Sequence, residues 1–249
     1  MQRVTPSEPQ RHLRLDGTYN VRDIGGYRTR DGRLTRWHTL FRADSLHRLA
    51  PAAQAILLNY GVRLVVDLRR SDELQAAPNV FTTSTSVHYH HLSLLADAPP
   101  VVNGDPQALV ETYRHILDKR QALVYQILAA LATPGNLPAV VHCTAGKDRT
   151  GIIIALALGL AGVPTETIVE DYALTATCLD EAFMEETRQR ALKRGYTWEQ
   201  YKPLVGCPPE YMATTLQHLE AEYGGIEAYV RTIGLSEAQI ERLHTALVA

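Results

Sequence analysis

The sequence predicts an α/β fold in which helices flank a central sheet. Three short apolar runs have the length and the β-branched content of strands, namely RLVVDL at 63–68, SVHYHHL at 86–92 and PAVVH at 138–142. Between the second and third runs, residues 107–132 carry apolar positions at helical spacing. Alternation of strands and helices along a chain is typical of layered α/β folds.

The remaining elements follow in chain order. The helical stretch ends near Pro134-Gly135, so the chain must turn there before the third strand. The apolar run GIIIALALGLA at 151–161 is far shorter than the ~20 residues needed to span a bilayer, and it predicts a buried core helix. After residue 165 the strand signals end. The tail YGGIEAYVRTIGLSEAQIERLHTALV predicts two short helices, the second of them capped by Ser236.

Composition narrows the class of protein. The 249 residues are 45% hydrophobic and 21% charged with a formal net charge of -2, so we expect no nucleic-acid partner, and any affinity for phosphate must be local. Three cysteines without C-x-x-C spacing argue against a disulfide framework and a thiolate zinc site. We expect a cytoplasmic protein, with export by a route that uses no signal peptide as the alternative. Residues 1–12 predict a flexible tail because they contain no apolar core.

The stretch HCTAGKDRTG, which begins at His142, concentrates reactive and charged groups. A strand that ends there, a turn at Gly146 and a helix from about Arg149 direct backbone N–H groups and a helix N-terminus at one point, which suits an anion. Cys143 begins this loop, and the nearby cations Lys147 and Arg149 favour a thiolate nucleophile.

Further residues of the stretch suit phosphate chemistry. Arg149 follows Cys143 by six positions, and its planar guanidinium can grip two phosphoryl oxygens. Thr150 can donate a hydroxyl hydrogen bond to the thiolate. The predicted phosphate-binding residues are Thr144, Ala145, Gly146, Lys147 and Thr150. A nucleotide-binding loop of the form G-x-x-x-x-G-K-[ST] does not fit, because Val141 replaces its first glycine and Asp148 its Ser or Thr.

The C-x5-R loop resembles the signature of the cysteine-dependent protein tyrosine phosphatases, and in particular the PtpB-like subgroup of bacterial tyrosine and dual-specificity or lipid phosphatases. The segments NVRDIGGY, LFRADSL, VVDLRRSDE and YGGIEAYVRTIGLSEAQIERL are similar to further blocks of that subgroup, so the resemblance covers most of the chain. It implies a phosphatase-like central sheet with a helical C-terminal part, in one domain over 13–249. It also implies a helical lid at 179–206, for which a packed helix pair is the alternative.

The resemblance implies hydrolysis of phosphomonoesters through a cysteinyl-phosphate, with Cys143 as nucleophile and with Arg149 and the loop amides stabilising the phosphoryl oxygens. It implies no metal and no other cofactor. The expected substrates are phosphotyrosine proteins. Phosphoserine or phosphothreonine proteins and phosphoinositides are further candidates, since Lys147 adds a second cation to the loop. A weak or inactive module that binds phosphorylated partners is the alternative function.

The general acid is less well defined, because the sequence contains no W-P-D motif. The candidates are Asp148 in the loop, Asp97 in SLLADAPP and Asp67 at a strand end. Asp148 is preferred, because the thiolate and the phosphate dianion beside it favour the protonated form that an acid needs. The alternative is that Lys147 and Arg149 cancel this effect and that Asp148 only orders the loop. Asp67 is expected to orient Arg149 instead.

Other residues lie near the predicted site with weaker signals. His142 is expected to fix the loop from the core, rather than to shuttle protons. Arg22 and Asp23 are either part of the site wall or a surface ion pair before a glycine turn. Asp171, about twenty residues past the loop, either returns to the site or lies on a solvated helix face.

Overall fold

The structure, a computed structural model, describes residues 10–95 and 107–249. Within these ranges one mixed sheet has the strand order β1-β2-β3-β6-β4-β5. Its strands are β1 His12–Leu13, β2 Val21–Asp23, β3 Leu40–Ala43, β4 Leu64–Asp67, β5 His88–His91 and β6 Ala139–His142. The first three pair antiparallel, whereas β3, β6, β4 and β5 run parallel.

The three strands predicted at 63–68, 86–92 and 138–142 are confirmed as β4, β5 and β6. The strands β1 to β3 were not predicted, because β1 and β2 are only two and three residues long and the apolar run of β3 is interrupted by Arg42. The strands β3, β6 and β4 are buried at every position, as in parallel sheets covered on both faces. The loop after β6 therefore opens at the centre of the carboxyl edge of the sheet.

Helices cover the sheet and make up the C-terminal part. They are α1 Pro51–Asn59, α2 Ser71–Ala76, α3 Gln107–Lys119, α4 Gln121–Ala132, α5 Asp148–Leu160, α6 Thr165–Ala173, α7 Thr175–Cys178, α8 Glu181–Lys193, α9 Trp198–Val205, α10 Pro209–Tyr223, α11 Ile226–Thr232 and α12 Glu237–Leu247. A 3-10 turn forms at Leu46–Arg48. The predicted helix 107–132 is two helices, because Arg120 has non-helical backbone angles.

Two further predictions about helices are confirmed. The apolar run 151–161 forms most of α5, in which nearly every residue is buried. The second helix of the C-terminal tail, α12, is capped by Ser236, whose hydroxyl accepts a hydrogen bond from the backbone N–H of Gln239 at 3.3 Å. No described helix has the length and apolar character needed to traverse a membrane.

The strand β6 is anchored in two apolar layers. Ala139 and Val141 pack into the larger layer, which also holds the apolar side chains of α3, α4 and α5. Val140 points to the opposite face, where the smaller layer packs against α1. Alternate side chains of a strand lie on opposite faces, so both layers fix the end of β6 in space. The position of Cys143, which directly follows β6 and packs into the larger layer, is fixed with it.

Candidate active site

The loop between β6 and α5, residues 143–147, is held from outside by its carbonyl oxygens. The side-chain Nδ2 of Asn20 donates to the carbonyl oxygens of Ala145 at 2.9 Å and of Gly146 at 3.3 Å. The guanidinium of Arg42 donates to the same carbonyl of Gly146 at 2.8 Å. These bonds come from the chain just before β2 and from β3, so the N-terminal strands shape the loop.

The other carbonyls of the loop are also occupied. The backbone N–H of Ser45 donates to the carbonyl of Thr144 at 3.1 Å, and Nδ1 of His142 lies 3.1 Å from the carbonyl oxygen of Cys143. By contrast, the backbone N–H groups of residues 144–149 donate to no acceptor within 10–95 and 107–249. Unpaired N–H groups at a helix N-terminus form a cradle for an anion.

Gly146 is required by the close approach of the loop to β3. Its φ angle is +65°, in the left-handed region that favours glycine. A Cβ atom at this position would lie 2.5 Å from the carbonyl oxygen of Ala43. Any larger residue would therefore push the loop away from the sheet edge.

Cys143 and Arg149 lie in this cradle, and Glu73 holds the arginine. Cys143 is 2% exposed and Arg149 is 8% exposed. The two terminal nitrogens of Arg149 contact the Glu73 carboxylate at 2.6 and 3.2 Å. Burial alone would raise the pKa of Glu73, but Arg149 and Thr144 hold it well below its usual range. Burial would lower the pKa of Arg149, but Cys143 and Glu73 raise it above its ordinary value.

The sequence reasoning missed Glu73. It is the third residue of α2, which begins four residues after β4 ends, and its carboxylate also accepts the backbone N–H of Arg70 at 2.9 Å. The signal available in the sequence was an acidic residue in the first turn of a helix directly after a buried strand. This hydrogen bond holds the Glu73 carboxylate in place independently of Arg149.

Asp67 does not orient Arg149, which corrects the expectation from the sequence. The carboxylate is fully buried and pairs with Arg69 at 2.6 Å, because that guanidinium is only two residues away. It also lies 3.3 Å from Nε2 of His142 and accepts the hydroxyl of Tyr89 at 2.9 Å. Burial would raise the pKa of Asp67, but His142 and Arg69 hold it far below its usual range. A carboxylate kept ionised in this way is unsuited to the role of general acid.

Asp148 is the first residue of α5 and lines the cavity above the loop. Its Oδ1 accepts a hydrogen bond from the hydroxyl of Tyr113 and lies 3.3 Å from Nζ of Lys147. The Tyr113 and Tyr172 hydroxyls lie 2.8 Å apart. Burial, followed by the charge of Asp148, raises the pKa of Tyr113 well above its ordinary value, so Tyr113 remains a fixed donor. The other acid candidate, Asp97, lies outside the described residues.

Lys147 and Thr150, two of the predicted phosphate-binding residues, make contacts that differ from those expected from the sequence. The ammonium of Lys147 is buried and donates to the carbonyls of Leu204 at 2.6 Å and Gly206 at 2.8 Å, which joins the loop to the end of α9. It is therefore not a free cation in the cavity. The buried hydroxyl of Thr150 has no hydrogen-bond partner in the described part of the chain, so the expected bond to Cys143 is not formed.

A buried cluster lies behind the loop. Arg42 forms an ion pair with Asp171, and Arg22 donates to the backbone carbonyl of Asp171 at 2.8 Å. Asp171 thus returns to the site on α6, the first of its two predicted alternatives. Burial, followed by the like charge of Arg42, lowers the pKa of Arg22 to about 10. Asp23 does not contact this cluster, because its carboxylate accepts two backbone N–H groups of the following hairpin.

The loop opens into a cavity of about 720 Å³. The helices α8 and α9 also supply lining residues, such as Phe183, Arg190 and Tyr201. Both helices lie within the segment 179–206, so that segment lines part of the cavity. Its movement as a lid stays a prediction.

The fold and the loop together define a class of protein: a phosphatase-like α/β domain with a cysteine at the base of an anion-binding loop. A family model described as the tyrosine phosphatase family matches residues 13–249. The chain belongs to this tyrosine phosphatase family.

Two curated relatives and one solved structure are similar to this chain. A tyrosine-protein phosphatase of Nostoc commune is 33% identical over 214 residues, which are 83% of this chain and 73% of the relative. The triple specificity protein phosphatase PtpB of Mycobacterium tuberculosis is 27% identical over 280 residues, covering 94% of this chain and 98% of PtpB. The crystal structure of P. aeruginosa TpbA has 18% sequence identity and a TM-score of 0.32, over 72% of this chain and 87% of TpbA.

Proposed function

We propose that this protein tyrosine phosphatase hydrolyses phosphotyrosine in proteins through a cysteinyl-phosphate on Cys143. The observation that carries the proposal is the set of backbone N–H groups at 144–149, which directly follow Cys143 and donate to no acceptor in the described ranges. Such preorganised donors stabilise the charge that develops on the phosphoryl oxygens. The proposed compartment is the cytoplasm, because the three cysteines are free thiols.

In the first proposed step the Cys143 sulfur attacks phosphorus, and the bond from phosphorus to the tyrosine oxygen breaks. Asp148 gives its proton to the leaving phenolate. In the second step a water oxygen attacks the phosphocysteine, Asp148 takes the proton from that water, and inorganic phosphate leaves with the thiolate restored. Arg149, fixed by Glu73 at 2.6 Å, stabilises the phosphoryl oxygens in both steps.

The geometry around Asp148 supports its role as the acid. Asp148 lines the same cavity as Cys143 and follows it by five positions, at the start of α5. The Tyr113 hydroxyl holds one of its oxygens. Groups held in this way by packed neighbours keep the geometry that proton transfer needs.

Phosphotyrosine is the favoured substrate because Cys143 lies almost fully buried at the base of the cavity. A phosphotyrosine side chain extends further from its backbone than phosphoserine or phosphothreonine does. Phosphoinositides are a weaker proposal, since Lys147 is bound to the end of α9 and does not add a free charge. A phosphate or sulfate ion is expected to bind the loop.

The test compares wild type with Cys143→Ser and Asp148→Asn on para-nitrophenyl phosphate and a phosphotyrosine peptide, from pH 4 to 8 and with a chelator present. We expect Cys143→Ser to abolish turnover. We expect Asp148→Asn to slow the peptide reaction by about 10²-fold and the activated ester by much less, because nitrophenolate leaves without a proton. Acid quenching with ³²P-labelled substrate should leave label on the protein only where Cys143 is present.

Three results would contradict the proposal. Turnover by Cys143→Ser would exclude the cysteinyl-phosphate. Equal losses on both substrates would exclude Asp148 as the acid. A wild-type protein that binds the peptide without hydrolysing either substrate would instead support the alternative of a phosphate-binding module.

A further inference from the structure

The part of the cavity wall that α8 forms carries three cations at the C-terminal end of the helix, namely Arg190, Lys193 and Arg194. Within the described ranges none of them forms an ion pair or a side-chain hydrogen bond. The two acids of the helix that lie nearest before them, Glu185 and Glu186, are already engaged. Arg188 pairs with Glu185, and Arg48 holds Glu186 through two hydrogen bonds of 2.8 and 2.9 Å.

The other cations that line the cavity differ in this respect, because each has an acidic partner. These pairs are Arg48 with Glu186, Arg69 with Asp67, Arg70 with Asp72, Lys147 with Asp148 and Arg149 with Glu73. The phosphate site is therefore balanced internally. The surplus positive charge of the cavity lies on α8.

His47 lies within the electrostatic influence of Arg190. It lines the cavity from the 3-10 turn after β3. Burial lowers the pKa of His47, and the cations Arg48, Arg69 and Arg190 lower it further. The positive charge on α8 is thus felt by a side chain that another element supplies.

The three cations also form a compact row. Positions 190, 193 and 194 share one helix face, and at 1.5 Å per residue they span about 6 Å along the axis. A cavity of about 720 Å³ has room for more than one phosphotyrosine side chain, and the three cations line the same cavity as Cys143 and Arg149.

We infer that Arg190, Lys193 and Arg194 form a second anion subsite that binds an additional phosphate or carboxylate close to the phosphotyrosine of a peptide substrate. The inference rests on the proposed function, which places the first phosphate at Arg149. A peptide is the favoured carrier because the chain belongs to a family of protein phosphatases. Since the cations are exposed or half-buried, the subsite contributes to selection of substrates, and its contribution is screened by salt.

The experiment uses two phosphotyrosine peptides that differ only in the residues flanking the phosphotyrosine. The neutral peptide has serine there, and the acidic peptide has glutamate and a second phosphate. The variant R190Q/K193Q/R194Q is compared with wild type. Arg188→Gln is the matched control, because Arg188 lies on the same helix, pairs with Glu185 and does not line the cavity. At low ionic strength we expect wild type and Arg188→Gln to favour the acidic peptide by about tenfold in kcat/KM, and the triple variant to lose this preference.

Para-nitrophenyl phosphate separates this inference from the proposed function. All three proteins should hydrolyse it at the same rate, since it has one anionic group. If they do and the triple variant keeps the preference for the acidic peptide, the subsite is wrong. If wild type does not hydrolyse para-nitrophenyl phosphate, the proposed function fails, and anisotropy of both peptides with Cys143→Ser still measures the subsite by binding.

A soluble inositol polyphosphate provides the last arm. We expect it to compete weakly and to the same degree in wild type and the triple variant. Strong competition that depends on the three cations, without a preference between the peptides, would overturn the assignment to peptides and assign the subsite to inositol phosphates.

Discussion

The two walls of the cavity hold positive charge in opposite ways. On the loop wall Arg149 is 8% exposed and is bound to the buried Glu73, whereas on the α8 wall Lys193 and Arg194 are exposed and lack an acid partner in the described part of the chain. A buried charge is tolerated only with a partner, while an exposed one is stabilised by water. The loop wall is therefore rigid and suited to one fixed anion. The α8 wall remains free to respond to different substrates.

The largest expected effect tests the rigid wall. Arg149→Lys keeps the charge but replaces a planar fork by a single ammonium, which cannot contact Glu73 and two phosphoryl oxygens together. We expect kcat/KM for para-nitrophenyl phosphate to fall by about 10³-fold. Lys193→Arg, the reverse exchange on the α8 wall, should change it by less than about twofold. Comparable losses in both variants would show that the walls do not differ.

Glu73→Gln breaks the partner rather than the arginine. We expect a loss of about 3 kcal/mol in the free energy of unfolding at pH 7, because Arg149 is left buried without a counter-charge. Since the pKa of Glu73 is lowered by folding, its contribution is present above its unfolded value of about 4.3 and is lost as pH falls through the folded value. The difference between wild type and variant in urea unfolding should therefore shrink as pH falls. A difference that is independent of pH would contradict the assignment.

Much of the loop wall could be predicted from the sequence, because its chemistry is local. Cys143, Gly146 and Arg149 lie within seven positions, and the strand and helix on either side have clear patterns. Glu73 and Asn20 could not be predicted. Both reach the loop from more than 70 residues away, through an order of strands that short segments do not reveal.

The same limit explains the errors about Asp67 and Lys147. Asp67 ends a buried strand as expected, but its carboxylate pairs with Arg69, two residues further on, and not with Arg149. Lys147 was expected to face the substrate, yet two carbonyls at the end of α9 bind its ammonium. The partners of Lys147 have no sequence signal, since they depend on which elements pack against the loop.

Asp44 is a buried acid of the loop wall that, unlike Glu73, has no cation paired with it in the described part of the chain. Its fully buried carboxylate accepts the backbone N–H groups of Tyr19 at 3.0 Å and Asn20 at 2.9 Å, and has no salt-bridge partner within the described ranges. Burial raises the pKa of Asp44 to about 6. Its contribution to stability is therefore fully present below the unfolded value of about 3.9 and is lost as pH rises through about 6.

Asp44→Asn should show a dependence on pH opposite to that of Glu73→Gln. We expect wild type to lose stability relative to Asp44→Asn by on the order of 2 kcal/mol between pH 4.5 and 7.5. Urea unfolding at both pH values, followed by tryptophan fluorescence, measures this difference. The same sign of slope in both variants would mean that a cation compensates Asp44 as Arg149 compensates Glu73.

The smallest effect belongs to the α8 wall. Glu186 receives hydrogen bonds from Arg48 and from the Tyr19 hydroxyl, the latter at 2.7 Å, and it lies four residues before Arg190 on the helix. Because the pair is largely exposed, Glu186→Gln should cost less than about 1 kcal/mol in unfolding free energy. The substitution removes the acid that neutralises Arg48 and leaves a fourth unpaired cation at the cavity mouth. We expect kcat/KM for the acidic peptide to rise by about twofold at low ionic strength, and kcat/KM for para-nitrophenyl phosphate to stay unchanged. A fall in kcat/KM for both substrates would mean that Glu186 positions α8, and that the α8 wall is as rigid as the loop wall.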